Sequence, residues 1–119
     1  MSKFNINIHE VIFSLSDALD LVGVDQIYHG KRVAYIAAEC GKALNWDDDR
    51  LDDLFLAAIL HDCGVSNTAI HSKLTNFEGK NVGNHCDKGA DLLQKRPMLA
   101  HLEDYVMYHH TPWTELLGL

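Results

Sequence analysis

Apolar residues recur along this chain at helical spacing. From Ile8 to Val22 they fall at positions 8, 11, 12, 15, 19 and 22, which lines one face of a 3.6-residue helix. Asn7 with Glu10 forms the polar pair expected at a helix start, and Gly23 closes the segment. A second helix is expected from near Asp25 to near Leu44, with His29, Val33, Ile36, Ala37, Cys40 and Leu44 on its apolar face. A third begins around Asp47, carries Leu51, Leu54, Phe55, Ala58 and His61 on one side, and stops at Gly64.

Residues 63–80 break the periodicity and read as a long loop, the kind of segment that often carries function. A fourth helix is expected over about 82–95, with Val82, His85, Gly89, Leu92 and Leu93. Pro97 suits the first turn of a fifth, spanning about 98–110 with Leu99, Leu102, Val106, His109 and His110. No period-two pattern of a strand appears. The expectation is an all-α fold of about five helices, with the 119 residues forming one domain.

Net charge is −7, and the acidic residues cluster in WDDDRLDD at 47–53. Such a cluster suits a solvated helix N-terminus, where the dipole favours negative charge. With no basic stripe, a duplex nucleic-acid partner is not expected. No apolar run approaches the roughly 18 residues of a membrane span, and no secretory signal opens the chain. Cys40, Cys63 and Cys86 make neither a CxxC motif nor an even set. These features together predict a reduced, cytoplasmic protein.

His61-Asp62 ends the apolar run LFLAAILHDCG, where a solvated polar pair is out of place. A buried His-Asp pair is costly unless something pairs with it, and a divalent metal pairs with both. His29, His61, His85 and His109 each fall on, or continue, an inward helical face. One such histidine is ordinarily a satisfied core residue. Four, beside an aspartate, predict a metal site built between helices. His9 and His101 read as polar or partly exposed helix positions, His71 as a loop residue at the surface or near substrate. Cys63 and Cys86 read as packing residues, since helix neighbours point about 100° apart.

The ordered motifs resemble the HD superfamily of metal-dependent phosphohydrolases, and within it the HD-GYP branch, whose active members hydrolyse cyclic di-GMP. HGKRVA at His29, AAILHDCG at the dyad, HCDKGADLL at His85 and the pair His109-His110 carry the likeness, as does ALDLV upstream. The resemblance implies a metal set of His29, His61, Asp62, His85, His109 and His110. Asp62 would bridge two divalent cations and be the catalytic centre of phosphodiester hydrolysis. The mixed imidazole and carboxylate set suits Fe, Mn or Zn. Asp25, one turn before His29, is a further ligand or an N-cap. The implied substrate is a phosphorylated small molecule, a nucleotide or a cyclic dinucleotide.

Three departures from the branch set a second expectation. Val65 stands where the branch has a phosphate-binding lysine. HHTPWTELLGL replaces the Gly-Tyr-Pro signature. The superfamily's last aspartate ligand would come from a helix beyond Leu119, so the chain is expected to be a fragment with partner domains. Hydrolysis is expected to be weak or absent. The alternative reading is a degenerate module that binds metal, ligand or a partner protein in signalling without turnover.

Overall fold

Asn7 opens the first helix as its sequence suggests. Its side-chain oxygen accepts the His9 backbone N–H at 2.9 Å, which satisfies one of the amide donors that a helix start leaves unpaired. A computed structural model describes residues 4–21, 28–65 and 82–118, and every regular element among them is helical. The fold is all-α. The chain divides into two compact units, Met1–Leu60 and His61–Leu119. No described helix is long and apolar enough to cross a membrane.

The first unit holds α1 (Ile8–Leu21), α2 (His29–Ala43) and α3 (Asp48–Leu60). Asp47 caps α3, accepting the Arg50 N–H at 2.9 Å, and the other acidic residues of the first turn are exposed as expected. The C-terminal half of α3, Leu56 to Leu60, is buried all round, because α1 and α2 both pack on it. Each large apolar side chain buried there contributes roughly 1.5–3 kcal/mol. Phe13 of α1 meets Phe55 of α3 with ring centroids 5.8 Å apart.

The α2 face differs from the expected one. Ile36 and Leu44 are more than half exposed, Cys40 is exposed, and the buried positions are Ala34 and Gly41. The reason is close approach to α3. A Cβ on Gly41 would come within 2.7 Å of Leu51, and one on Gly30 within 3.1 Å of the Ile59 carbonyl oxygen. Only small residues fit that contact, so α2 turns its small stripe inward and its large side chains outward. His29 is the first residue of α2 and half-buried. The expected helix start near Asp25 lies outside the described residues, as do Asp25 itself, His71 and most of the 63–80 loop.

The second unit begins with a turn at His61–Gly64, closed by the Val65 N–H donating to the Asp62 carbonyl at 3.0 Å. α4 (Val82–Gln94) follows. His85, Cys86, Gly89, Ala90 and Leu93 are buried along one face. Leu92, expected inside, is 51% exposed, because it lies on the edge of that face beside Lys88. The single helix expected over 98–110 is instead a 3₁₀ turn (Ala100–Leu102), a five-residue α5 (Glu103–Met107) and a further turn that carries His109 and His110. Leu102 and Val106 are nonetheless fully buried, packing this segment against α4. A short α6 (Trp113–Leu116) follows, at a place where no helix was expected.

Candidate metal centre

Asp62 is the hub of the second unit's polar interior. It sits in the turn that opens the unit, and its carboxylate faces α4. One oxygen, Oδ2, lies 3.0 Å from His61 Nε2. The other, Oδ1, lies 3.4 Å from His85 Nε2 and 3.6 Å from His109 Nε2. The two imidazole nitrogens are 3.1 Å apart. His110 completes the group: its ring centroid is 4.9 Å from that of His85 and 4.3 Å from that of His109. Ligand atoms of Asp62, His85, His109 and His110 all lie within 4.8 Å of one another.

Different elements deliver these side chains. His85 comes from the buried face of α4 and is 1% exposed. His109 and His110 come from the turn after α5, whose end is fixed by Val106 in the core. His109 Nδ1 lies 2.6 Å from the Val106 carbonyl oxygen. A carbonyl only accepts, so Nδ1 carries a proton here and Nε2 is the nitrogen turned toward Asp62, the arrangement that orients histidine ligands of metals.

The electrostatics follow from this crowding. Burial disfavours the Asp62 carboxylate, but hydrogen bonds with His109, His61 and His85 outweigh it and hold the carboxyl far below its ordinary range. Burial likewise disfavours charge on the imidazoles. Asp62 and Cys86 reverse that and raise His85 to about 9, and with the Val106 carbonyl they raise His109 to about 10. The raising belongs to the pair: two Nε2–H groups cannot face each other across 3.1 Å, so one proton lies between them. His110 goes the other way. Burial and the charges of His109 and His85 push it down to about 4, which leaves a neutral imidazole with a free lone pair at pH 7.

The donor set fits a divalent cation on its own chemistry. Three imidazole nitrogens converge on one carboxylate, and on shedding their protons they become ligands. Separations of 3.1–3.6 Å between donor atoms match the edges of a coordination shell with bonds of about 2.0–2.2 Å. His85 Nδ1, on the side of the ring away from Asp62, is buried without a hydrogen-bond partner among the described residues.

Of the residues singled out in the sequence, His61, Asp62, His85, His109 and His110 come together in this unit. His29 belongs to the first unit and heads α2 there. Cys86, read as a packing residue, is buried but also backs the site: Sγ lies 3.6 Å from His109 Nδ1 and 4.0 Å from His85 Nε2. Burial pushes its thiol up, but His109 and His85 bring it down to about 6. Helical phase predicted Cys86 to point away from its neighbour, yet both are buried on the same side of α4. What it could not show was that His109 approaches from another element. Cys63 goes the other way: burial and the Asp62 charge push its thiol up to about 11.

An all-α chain with a His-Asp turn facing histidines from two later elements is the pattern of the HD domain. Residues 14–115 match that family, and the chain belongs to it. A curated relative, the 3'3'-cGAMP-specific phosphodiesterase 1 of Vibrio cholerae, is 40% identical over 118 residues, which is 98% of this chain and 27% of the relative. The chain thus spans about a quarter of that protein's length. No solved structure matches the chain.

Proposed function

We propose that this chain is a metal-dependent phosphohydrolase domain acting on a cyclic dinucleotide. The observation that carries the reading is the split use of Asp62: Oδ2 toward His61, Oδ1 toward His85 and His109. A carboxylate that serves two groups of imidazoles through two oxygens is suited to bridge two cations. His85, His109 and His110 would hold one ion with Asp62; His61 would serve the other. Bound cations of the Fe, Mn or Zn kind would neutralise charge on phosphoryl oxygens and make water a nucleophile at neutral pH. The chain's own part is to hold the carboxylate ionised, to keep His109 Nε2 turned inward through Val106, and to keep His110 neutral.

The relative's printed substrate supports a cyclic dinucleotide, with 3'3'-cGAMP and cyclic di-GMP as the two to compare. The test is incubation of the metal-loaded protein with each, with linear products separated by chromatography. Turnover of either supports the reading. Absence of turnover with every one of Mn, Fe and Zn bound would overturn it.

A second reading has its own observation. Val65, at the position of the branch's phosphate-binding lysine, is only 7% exposed, so no charged side chain reaches out from there. That favours a module which binds metal and ligand without turnover. Tight binding of a cyclic dinucleotide with no product would select it. A cytoplasmic location is part of either reading.

A further inference from the structure

The glycine of the His-Asp turn is in contact with the backbone of the histidine that faces the dyad. A Cβ built on Gly64 would lie 2.0 Å from the His85 carbonyl oxygen and 2.5 Å from the Gly89 nitrogen. No side-chain rearrangement relieves such a contact, because both atoms are backbone. Gly64 is fully buried and lies two residues after Asp62 in the same closed turn. Gly89 is its counterpart on α4. A Cβ there would meet Val106 Cγ1 at 2.7 Å, with Gly64 N at 3.4 Å and Cys63 Sγ at 3.5 Å. The His-Asp turn and the Val106 segment therefore close on α4 around a pair of residues that have no side chains.

We infer that Gly64 is a positioning residue for the metal centre, with Gly89 as its partner. Backbone-to-backbone seating of Gly64 on α4 sets the distance between the Asp62 carboxylate and His85. The clearance at Gly89 lets Val106, and with it His109, reach the same point. A methyl group on Gly64 lifts the turn off α4. The carboxylate then moves away from His85 and His109 together, while those two histidines keep their own contact. This rests on the metal reading only for its consequence in binding; the geometric part stands without a metal.

The test uses the whole chain, metal-free and then titrated with Mn or Zn alone. In the wild type, nuclear Overhauser contacts are expected between the rings of His61 and His109, whose centroids are 5.2 Å apart, and of His85 and His109, at 5.0 Å. Gly64→Ala should lose the first and keep the second, and should bind metal roughly tenfold or more weakly, the scale on which residues that orient ligands act. Retention of both ring contacts with wild-type metal affinity would overturn the inference. Should Gly64→Ala not fold, Gly89→Ala carries the test. It should weaken both the ring contacts and metal binding, and Val106→Ala in the same chain should restore them by removing the methyl groups in the way. Failure of the double variant to improve on Gly89→Ala would also overturn it. Failure of the wild type to bind metal would sink the metal reading and leave the ring contacts to decide the positioning role.

Discussion

His85 Nε2 and His109 Nε2 lie 3.1 Å apart, from a helix and a turn separated by more than one helical element, and both face Asp62 Oδ1. A pair of imidazoles meeting a carboxylate in this way holds a proton or a metal. Which of the two they hold sets the molecule's response to pH and to cations.

Without metal, the shared proton ties stability to pH. An unfolded histidine releases its proton near 6.5, whereas His85 and His109 are raised to about 9 and about 10. The contribution is therefore fully present below about pH 6.5 and is lost as pH rises through 9 to 10. Asp62 is depressed, so its contribution is present above about pH 4 and is lost as pH falls below that. His110, pushed down to about 4, resists the proton that an unfolded histidine takes up below about 6.5, so stability also falls toward pH 4. Thermal melts of the metal-free protein should therefore be highest near pH 6.5. A midpoint that keeps rising from pH 7 to 10 would contradict this assignment.

With metal, the sign reverses. Ligand nitrogens must shed protons to bind a cation, so affinity should rise from pH 6 toward pH 9 and binding should release protons. Calorimetric titration in two buffers of different ionisation enthalpy measures that release. No proton release at pH 7 would mean that His85 and His109 are not both ligands.

Asp62→Ala should abolish tight metal binding. In the wild type, a cation at about 100 times its Kd stabilises by about 2.7 kcal/mol, a rise of roughly 8–13 °C at this chain length. The variant should show none, and its metal-free melt should lose the alkaline slope, because the imidazoles no longer have a counter-charge. Equal responses of variant and wild type to Mn, Fe and Zn would mean that Asp62 is not the shared ligand.

Val65→Lys tests whether the missing lysine can simply be put back. Position 65 is 7% exposed, so the change buries an ammonium in an apolar setting. It should destabilise the protein by roughly 2–4 kcal/mol without raising turnover of a cyclic dinucleotide. A gain in turnover at unchanged stability would show that the side chain reaches the site after all.

Leu102→Ala probes the packing beneath the site. Leu102 is fully buried at the 3₁₀ turn before α5. Truncation should cost about 2–5 kcal/mol. Denaturant titration measures it, and a cost below about 1 kcal/mol would mean that the segment carrying His109 is held by something other than this core.

The sequence by itself determined the helical class, the cap at Asn7, the start of α3 at Asp47, and the candidate ligands, because caps and 3.6-residue periodicity are local properties. The motifs' likeness to a known family proposed His29, His61, Asp62, His85, His109 and His110 as one ligand set before any contact was known. Tertiary structure decided what periodicity cannot express. The buried face of α2 runs through Ala34 and Gly41 rather than Ile36 and Leu44, because close approach to α3 selects for small volume rather than hydrophobicity. The expected helix over 98–110 breaks so that His109 and His110 can leave helical geometry and turn toward Asp62. The Val106 carbonyl that sets the His109 tautomer is a backbone atom, the same in every residue, so no sequence pattern marks it. Cys86 became part of the site's surroundings only because a second element reached it. Distances between elements depend on which atoms are missing from the contact, and a glycine such as Gly64 shows its purpose only when the backbone it touches is known.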